Sequence, residues 1–352
     1  MKIWIDALTP KQALFFNVIR KWLIKDGHEV FSTTRAGYGG YELGSIINYE
    51  LNVVGRHGLT KYDKLIESSK RIEALAEMIN EKGVDLALSF SSPECARVSY
   101  GLGVPHVNFS DSPHAVQASK LTIPLSILLF SPWVIPKKAW LSYGITENNI
   151  IRYKAIDAAF WLKDWKFKDM KKELGLQNKP TITIRMHEEY ASYLLGVKGY
   201  IFELIKEVVR SYHREANILI LLRYKNQFSK LSAEIDGQAI FLDSTVDGPS
   251  LIKSSDVFIG LGGTMNHEAA LLGVPTISAY PGQPTIVEKF LIRKRLIYRP
   301  KNLSHCMKIL VRLLFNKNPR EAYKKRSKML WNLMCDPREI IVPKLNEIGK
   351  KV

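Results

Sequence analysis

Residues 260 to 278 read GLGGTMNHEAALLGVPTIS, with three glycines before Thr264 and a carboxylate at Glu268. The flanking runs SSDVFIG and PTIS have the short apolar character of buried strands. Between them TMNHEAALL has helical composition, with Thr264 as its N-cap and Gly273 as its stop. The spacing predicts one βαβ unit whose loop is bare of side chains at the helix N-terminus. Glycine lets a ligand approach the backbone, and unpaired N–H groups with the helix dipole favour an anion. A phosphate or diphosphate is the natural occupant, and Glu268, one turn into the helix, is within reach of ribose hydroxyls. The loop matches neither familiar nucleotide fingerprint. Met265 stands where a dinucleotide motif needs its last glycine, and no Gly-Lys-Ser/Thr follows. A tight turn, with Glu268 complementing the dipole, is the competing reading.

Other polar residues follow strand-like runs, where open parallel sheets bind their ligands. In the first half these are Asp6 and Thr9, Thr34 and Arg35, Ser91, Ser92 and Glu94, then Asp111 and His114. In the second they are Arg185, His187 and Glu188, Arg223, and Asp247. Arg185 and Arg223, each ending a strand, are placed to converge on one diphosphate. His114 in SDSPHA is a candidate base because histidine titrates near neutrality, and Asp111 could orient it or act itself. Asp6 is a third candidate. Thr9 before Pro10 also reads as a plain helix cap, and Arg56 and His57 in VVGRHG as turn residues. The HEE run at 187 to 189 lacks metal-ligand spacing, since neighbours on an extended strand face opposite ways. No metal is expected.

These residues require a scaffold of alternating strands and helices. Gly27, Gly83, Gly103 and Gly273 each stand just before a strand-like run, and the amphipathic stretches QALFFNVIRKWLIK and YDKLIESSKRIEALAEMINE precede two of them. The pattern predicts parallel sheets covered on both faces. SFSSPECARVSYGLGVPHVNFS echoes FIGLGGTMNHEAALLGVPTISAY, which implies two such sheets. The first set runs from KIWID to about Tyr153. The second comprises TITIR, NILILLR, AIFLD, DVFIG and PTISAY, after a connector that starts at AIDAAF.

The 352 residues allow two domains, and no apolar run reaches membrane-spanning length. MKIWIDALTP opens as a strand rather than as a signal peptide. Three scattered cysteines fit neither a disulfide framework nor a zinc site, so a cytoplasmic setting is expected. The net charge of +17 is concentrated in residues 289 to 330, where fourteen Lys or Arg face one acidic residue, Glu321. Such a block implies an anionic partner, with a solvated lysine-rich face as the ordinary alternative. With no aromatic stacking platform interleaved among these lysines and arginines, an anionic membrane surface fits the block better than nucleic acid. The expected setting is cytoplasmic, with peripheral association at the inner face of the membrane as a further expectation.

Two successive α/β domains with a Gly-Gly loop and a helix-borne Glu resemble the GT-B architecture. Nucleotide-sugar glycosyltransferases and the non-hydrolysing UDP-N-acetylglucosamine 2-epimerases share it. More closely, IDALTPKQ, GHEVFSTTR, VGRHG, SFSSPE, SPHA and GLGGTMNHEAALLGVP resemble a mostly archaeal family, domain of unknown function 354. The resemblance implies two Rossmann-like domains facing across a cleft: 1–155 for the acceptor or reacting sugar and 156–335 for the nucleotide donor. A helix at 336–352 would cross back to the first domain. It implies further that Gly262, Gly263 and Thr264 touch the diphosphate and Glu268 the ribose. The His-Arg segment of the epimerases appears here only as RMHEE, a departure. The expected function is metal-independent glycosyl transfer from a nucleotide-diphosphate sugar, without a cofactor, to an acceptor that is lipid-linked or otherwise. A nucleotide-sugar 2-epimerase and a nucleic-acid-binding protein without turnover are the alternatives.

Overall fold

Short runs of Ile, Leu, Val and Phe between glycine-marked junctions form the strands of two parallel sheets. A computed structural model describes residues 1–186, 198–222, 225–235, 237–242 and 246–350. The first sheet comprises β1 (Lys2–Asp6), β2 (Glu29–Ala36), β3 (Asn52–Arg56), β4 (Leu86–Ser89), β5 (His106–Phe109), β6 (Leu128–Pro132) and β7 (Ile150–Tyr153). Its order is β3-β2-β1-β4-β5-β6-β7, with every neighbouring pair parallel. The second comprises β8 (Thr181–Arg185), β9 (Asn217–Leu221), β10 (Ile240–Leu242), β11 (Val257–Gly260), β12 (Thr276–Ser278) and β13 (Ile297–Tyr298). Its order is β10-β9-β8-β11-β12-β13, again parallel throughout.

Burial on both faces explains the uninterrupted apolar runs. Ile3, Trp4 and Ile5 are inaccessible to solvent, as are Phe258 and Ile259. Each sheet winds outward in both directions from its first strand, so each has one point where the order reverses. These points lie between β1 and β4 and between β8 and β11. Ligands of open α/β sheets bind beyond the carboxyl ends at such points. The two echoing sequence stretches are the fourth-strand units of the two sheets. One is β4, the helix Pro93–Gly101 and β5, and the other is β11, the helix Thr264–Leu271 and β12.

The chain forms two compact units. One contains Met1–Trp161 and the residues from Met334 onward, and the other Leu162–Leu333. Ala155–Trp161, the expected start of a connector, is buried in the first unit. In that unit Thr9 caps the helix Pro10–Lys25, accepting from the Gln12 N–H. Phe15 from this helix packs against Phe90, Phe109 and Phe160 with ring centroids 5.3, 5.3 and 4.4 Å away. The helix Arg338–Gly349 buries Ile341, Val342 and Leu345. Its Asn346 lies 2.7 Å from His28 Nε2 and donates to Asp26 Oδ2 at 2.6 Å. No helix among the described residues is long and apolar enough to cross a membrane.

Candidate functional site

In the second unit the glycine loop leaves β11 at the point of order reversal, where Gly260 pairs with Arg185 of β8. Gly262 and Gly263 have φ of 93° and 91°, in the left-handed region where a side chain is strained. A Cβ on Gly262 would lie 3.1 Å from the Tyr280 ring, whereas one on Gly263 would meet nothing within 4 Å. Thr264, expected as the N-cap, is instead the first helical residue. The cap is Gly263, which has no side chain to bond the first-turn N–H groups. That end of the helix is open to an anion. Glu268 is buried one turn in, beside His267. Asn266 is also buried, and neither atom of its amide group has a hydrogen-bond partner among the described residues.

Sequence reasoning missed a second layer from the ends of β12 and β13. Tyr280 lies against Gly262 on one side and Gly282 on the other, where a Cβ would come 2.6 Å from the ring. Arg299 Nη2 donates to the Gly282 carbonyl, while its Nη1 is buried and has no partner among the described residues. PGQP and YRP carry no periodic signal, so only the strand order could place them beside the glycine loop. Arg185 Nη1 donates to Leu222 O at 2.6 Å, which ties its guanidinium to the end of β9. Arg223, His187 and Glu188 lie outside the described residues.

The first unit gathers charge at the carboxyl ends of β1, β4 and β5. Asp6 does not present a base. It is inaccessible, and Arg71 Nη2 and Nη1 donate to it at 2.6 and 3.1 Å, with Thr33 at 2.7 Å and Ser92 at 2.6 Å. Burial opposes its ionisation, but the Arg71 charge and these donors hold its carboxyl below the usual range. With its lone pairs engaged, Asp6 serves as the buried anchor of the β1, β2 and β4 ends.

Asp111 is partly exposed and sits in a cluster that the sequence did not disclose. Lys11 Nζ lies 2.5 Å from Asp111 Oδ2, 2.7 Å from Asp157 Oδ2, and 4.2 Å from the centre of the Phe90 ring. Burial works against the Lys11 charge, and the two carboxylates outweigh it, raising its pKa. Burial raises Asp157, to about 6, against the pull of Lys11. Tyr153 Oη donates to Asp157 Oδ1 at 2.5 Å. One ammonium thus serves two carboxylates, of which Asp111, 12% exposed against 2% for Asp157, is the less buried and also accepts from Ser112 Oγ at 2.8 Å. His114 is exposed in the turn before the helix Val116–Thr122, and its ring has no hydrogen bond to the described residues. Asp111 and His114 therefore share a loop without forming a pair.

The echo of the two units extends to the backbone. Ser91, after β4, has φ of 55°, the left-handed turn that Gly262 makes after β11. Its N–H donates to Asn108 Oδ1 at 2.8 Å, which stabilises that conformation. Arg56, read as a turn residue, instead ends β3 and pairs with Asp63 and Glu67 at 3.1 and 3.0 Å.

Residues 1–347 match the family described as protein of unknown function (DUF354). The chain belongs to this family. A relative, the uncharacterised protein MJ0665 of Methanocaldococcus jannaschii, is 31% identical over 306 residues, 85% of this chain and 87% of the relative. Among solved structures, the UDP-GlcNAc 2-epimerase of Neisseria meningitidis bound to UDP-GlcNAc aligns with TM-score 0.78. That alignment covers 99% of this chain and 100% of the epimerase at 15% identity. The spinosyn forosaminyltransferase SpnP aligns with TM-score 0.65 over 99% of each chain at 14% identity. The DUF354 chain therefore has the GT-B type of fold, two parallel-sheet α/β domains.

Proposed function

We propose that this DUF354 protein is an enzyme acting on a nucleotide-diphosphate sugar, and that it transfers the sugar to an acceptor without a metal. The uncapped helix behind Gly262 and Gly263, at the order reversal of the second sheet, carries this reading. Its first-turn N–H groups would hold the diphosphate and stabilise it as it departs. Arg185 and Arg223 would add charge, and Glu268 would meet the ribose. Asp111, the less buried carboxylate of the Lys11 cluster, is the preferred base for the acceptor hydroxyl, with His114 the other candidate. Lys11 and Asp157 would position Asp111.

A nucleotide-sugar 2-epimerase is the second reading, favoured by the higher TM-score of the epimerase alignment. In it the same site would eliminate the diphosphate and add it back. An epimerase acts on its nucleotide sugar alone, whereas a transferase needs an acceptor.

The donor reading is tested by thermal shift and calorimetry with uridine diphosphate and UDP-sugars. Wild type should be stabilised in proportion to ligand. Glu268→Gln should weaken binding by about 1.5–3 kcal/mol, the range for a hydrogen bond to a charged group. In Gly263→Val the side chain enters the open space over the loop, and binding should vanish. Undiminished binding in a folded Gly263→Val protein would remove the basis for the proposal.

A further inference from the structure

The helix Thr264–Leu271 has a second feature at its other end. A hollow of about 460 Å³ opens there, with Phe167, Leu272 and Trp331 among its apolar walls and Lys253, Lys324 and Lys328 on its rim. The volume is within the range of ligand pockets, roughly 300–1,000 Å³. Eight residues at about 1.5 Å each separate it from the glycine loop, so it is not the candidate nucleotide site.

The hollow is built rather than incidental. Lys324 and Lys328 are one turn apart on the helix Lys317–Leu333, on the same face as Ser327 and Trp331. Ser327 Oγ and Trp331 Nε1 both donate to the Leu271 carbonyl, at 2.5 and 2.8 Å, and lock that face against the end of the Thr264 helix. Gly273 permits the approach, since a Cβ there would lie 3.0 Å from Lys324 Cα. On the opposite rim Lys253 Nζ stands 5.7 Å from the centre of the Phe167 ring, itself 41% exposed. No acidic side chain lines the hollow, and Lys253, Lys324 and Lys328 form no ion pair with a described residue. An apolar floor under uncompensated ammonium groups matches an anionic head carried on an apolar chain.

We propose that this hollow docks the phosphate headgroup and adjoining chain of an anionic lipid, and so seats the second unit on an anionic bilayer. The lysine stems would cover the apolar walls while their ammonium groups meet phosphates, and Trp331 would lie at the headgroup level. This site is independent of the nucleotide reading and stands whether or not that reading holds.

The test is sedimentation of the full chain with phosphatidylglycerol vesicles and with phosphatidylcholine vesicles at fixed salt. Two variants carry the same charge change, Lys324→Glu with Lys328→Glu in the hollow, and Lys289→Glu with Lys308→Glu elsewhere in the basic segment. Wild type should bind the anionic vesicles and not the neutral ones. The hollow variant should bind at least about 30-fold more weakly, taking about 1 kcal/mol per basic residue near the surface. The second variant should lose markedly less, and Trp331→Ala, with all charges kept, should also lose affinity. Surface charge reversals should leave thermal midpoints near that of wild type. Equal losses in the two charge variants would overturn the proposal, because charge alone would then account for binding. Displacement by millimolar inorganic phosphate would overturn the lipid source. Binding to duplex or single-stranded nucleic acid without vesicle binding would also overturn it, as would failure to bind anionic vesicles at all.

Discussion

His106 shows how burial sets the state of a single group. It is wholly enclosed, with Ser89 Oγ 2.9 Å from Nε2 and Ser126 Oγ 3.0 Å from Nδ1. Ser126 donates its proton to the Thr122 carbonyl at 2.7 Å, so its oxygen accepts from Nδ1–H. Nε2 is then the bare nitrogen, accepting from Ser89, and this tautomer follows from the network. Burial pushes the ring's pKa down to about 3, against a smaller opposing pull from Asp6. The unfolded ring takes a proton below about 6.5, so the folded state loses stability as pH falls from there toward 3. Asp157 works the other way between its ordinary range and about 6, because the folded state holds that proton more tightly. The measurement is therefore a difference between proteins. Urea unfolding at pH 7 and pH 5 should show a steeper acid loss for wild type than for His106→Gln, by a kilocalorie or more out of about a few kcal/mol in full. Equal slopes would mean that the ring is protonated in the fold.

At the scale of the element, VGRHG has a packing explanation. A Cβ on Gly58 would lie 2.3 Å from the backbone nitrogen of Lys64, in the first turn of the helix Lys61–Lys82. That turn cannot yield easily. Thr60 caps it by accepting from the Asp63 N–H at 3.0 Å, and Asp63 accepts from Leu59 N–H at 2.8 Å and from Arg56 at 3.1 Å. Gly58→Ala should cost about 1–3 kcal/mol, the usual range for overpacking. Its effect should appear in urea unfolding, and a midpoint equal to wild type would show that the loop relocates freely. The helix Thr264–Leu271 was legible because its glycine stop and apolar flanks are local signals. Its cap was misassigned because threonine's capping preference is only statistical, and the left-handed Gly263 ends the turn one residue earlier.

For the whole molecule, the helix Arg338–Gly349 belongs to a unit whose remaining chain lies more than 170 residues earlier. It buries Ile341, Val342 and Leu345 and bonds to Asp26 and His28 through Asn346. A chain ending at Leu333 would expose that face. Hydrogen exchange should then lose protection in β1, β2 and the helix Pro10–Lys25, while β8, β9 and β11 keep theirs. Uniform loss in both units would mean that they unfold as one.

The sequence alone determined the alternation of strands and helices, the two parallel sheets and the glycine turn at residues 262 and 263. Those features depend on periodicity and on backbone freedom, which are properties of neighbouring residues. Only the tertiary structure decided which polar residues meet. Lys11, Asp111 and Asp157 are far apart in the chain, and a single strand order brings them together beyond the carboxyl ends of the first sheet's strands. Asp6 and Asp111 look alike in sequence, each following a strand. Arg71, 65 residues along from Asp6, makes the first an inaccessible anchor, whereas the second, held by Lys11 and Ser112, keeps part of its surface in solvent. Tyr280 reaches the glycine loop because β12 lies beside β11, and Arg299 joins that layer through Gly282 because β13 lies beside β12. Local patterns encode elements, whereas the charge and accessibility of a side chain depend on partners that only folding supplies.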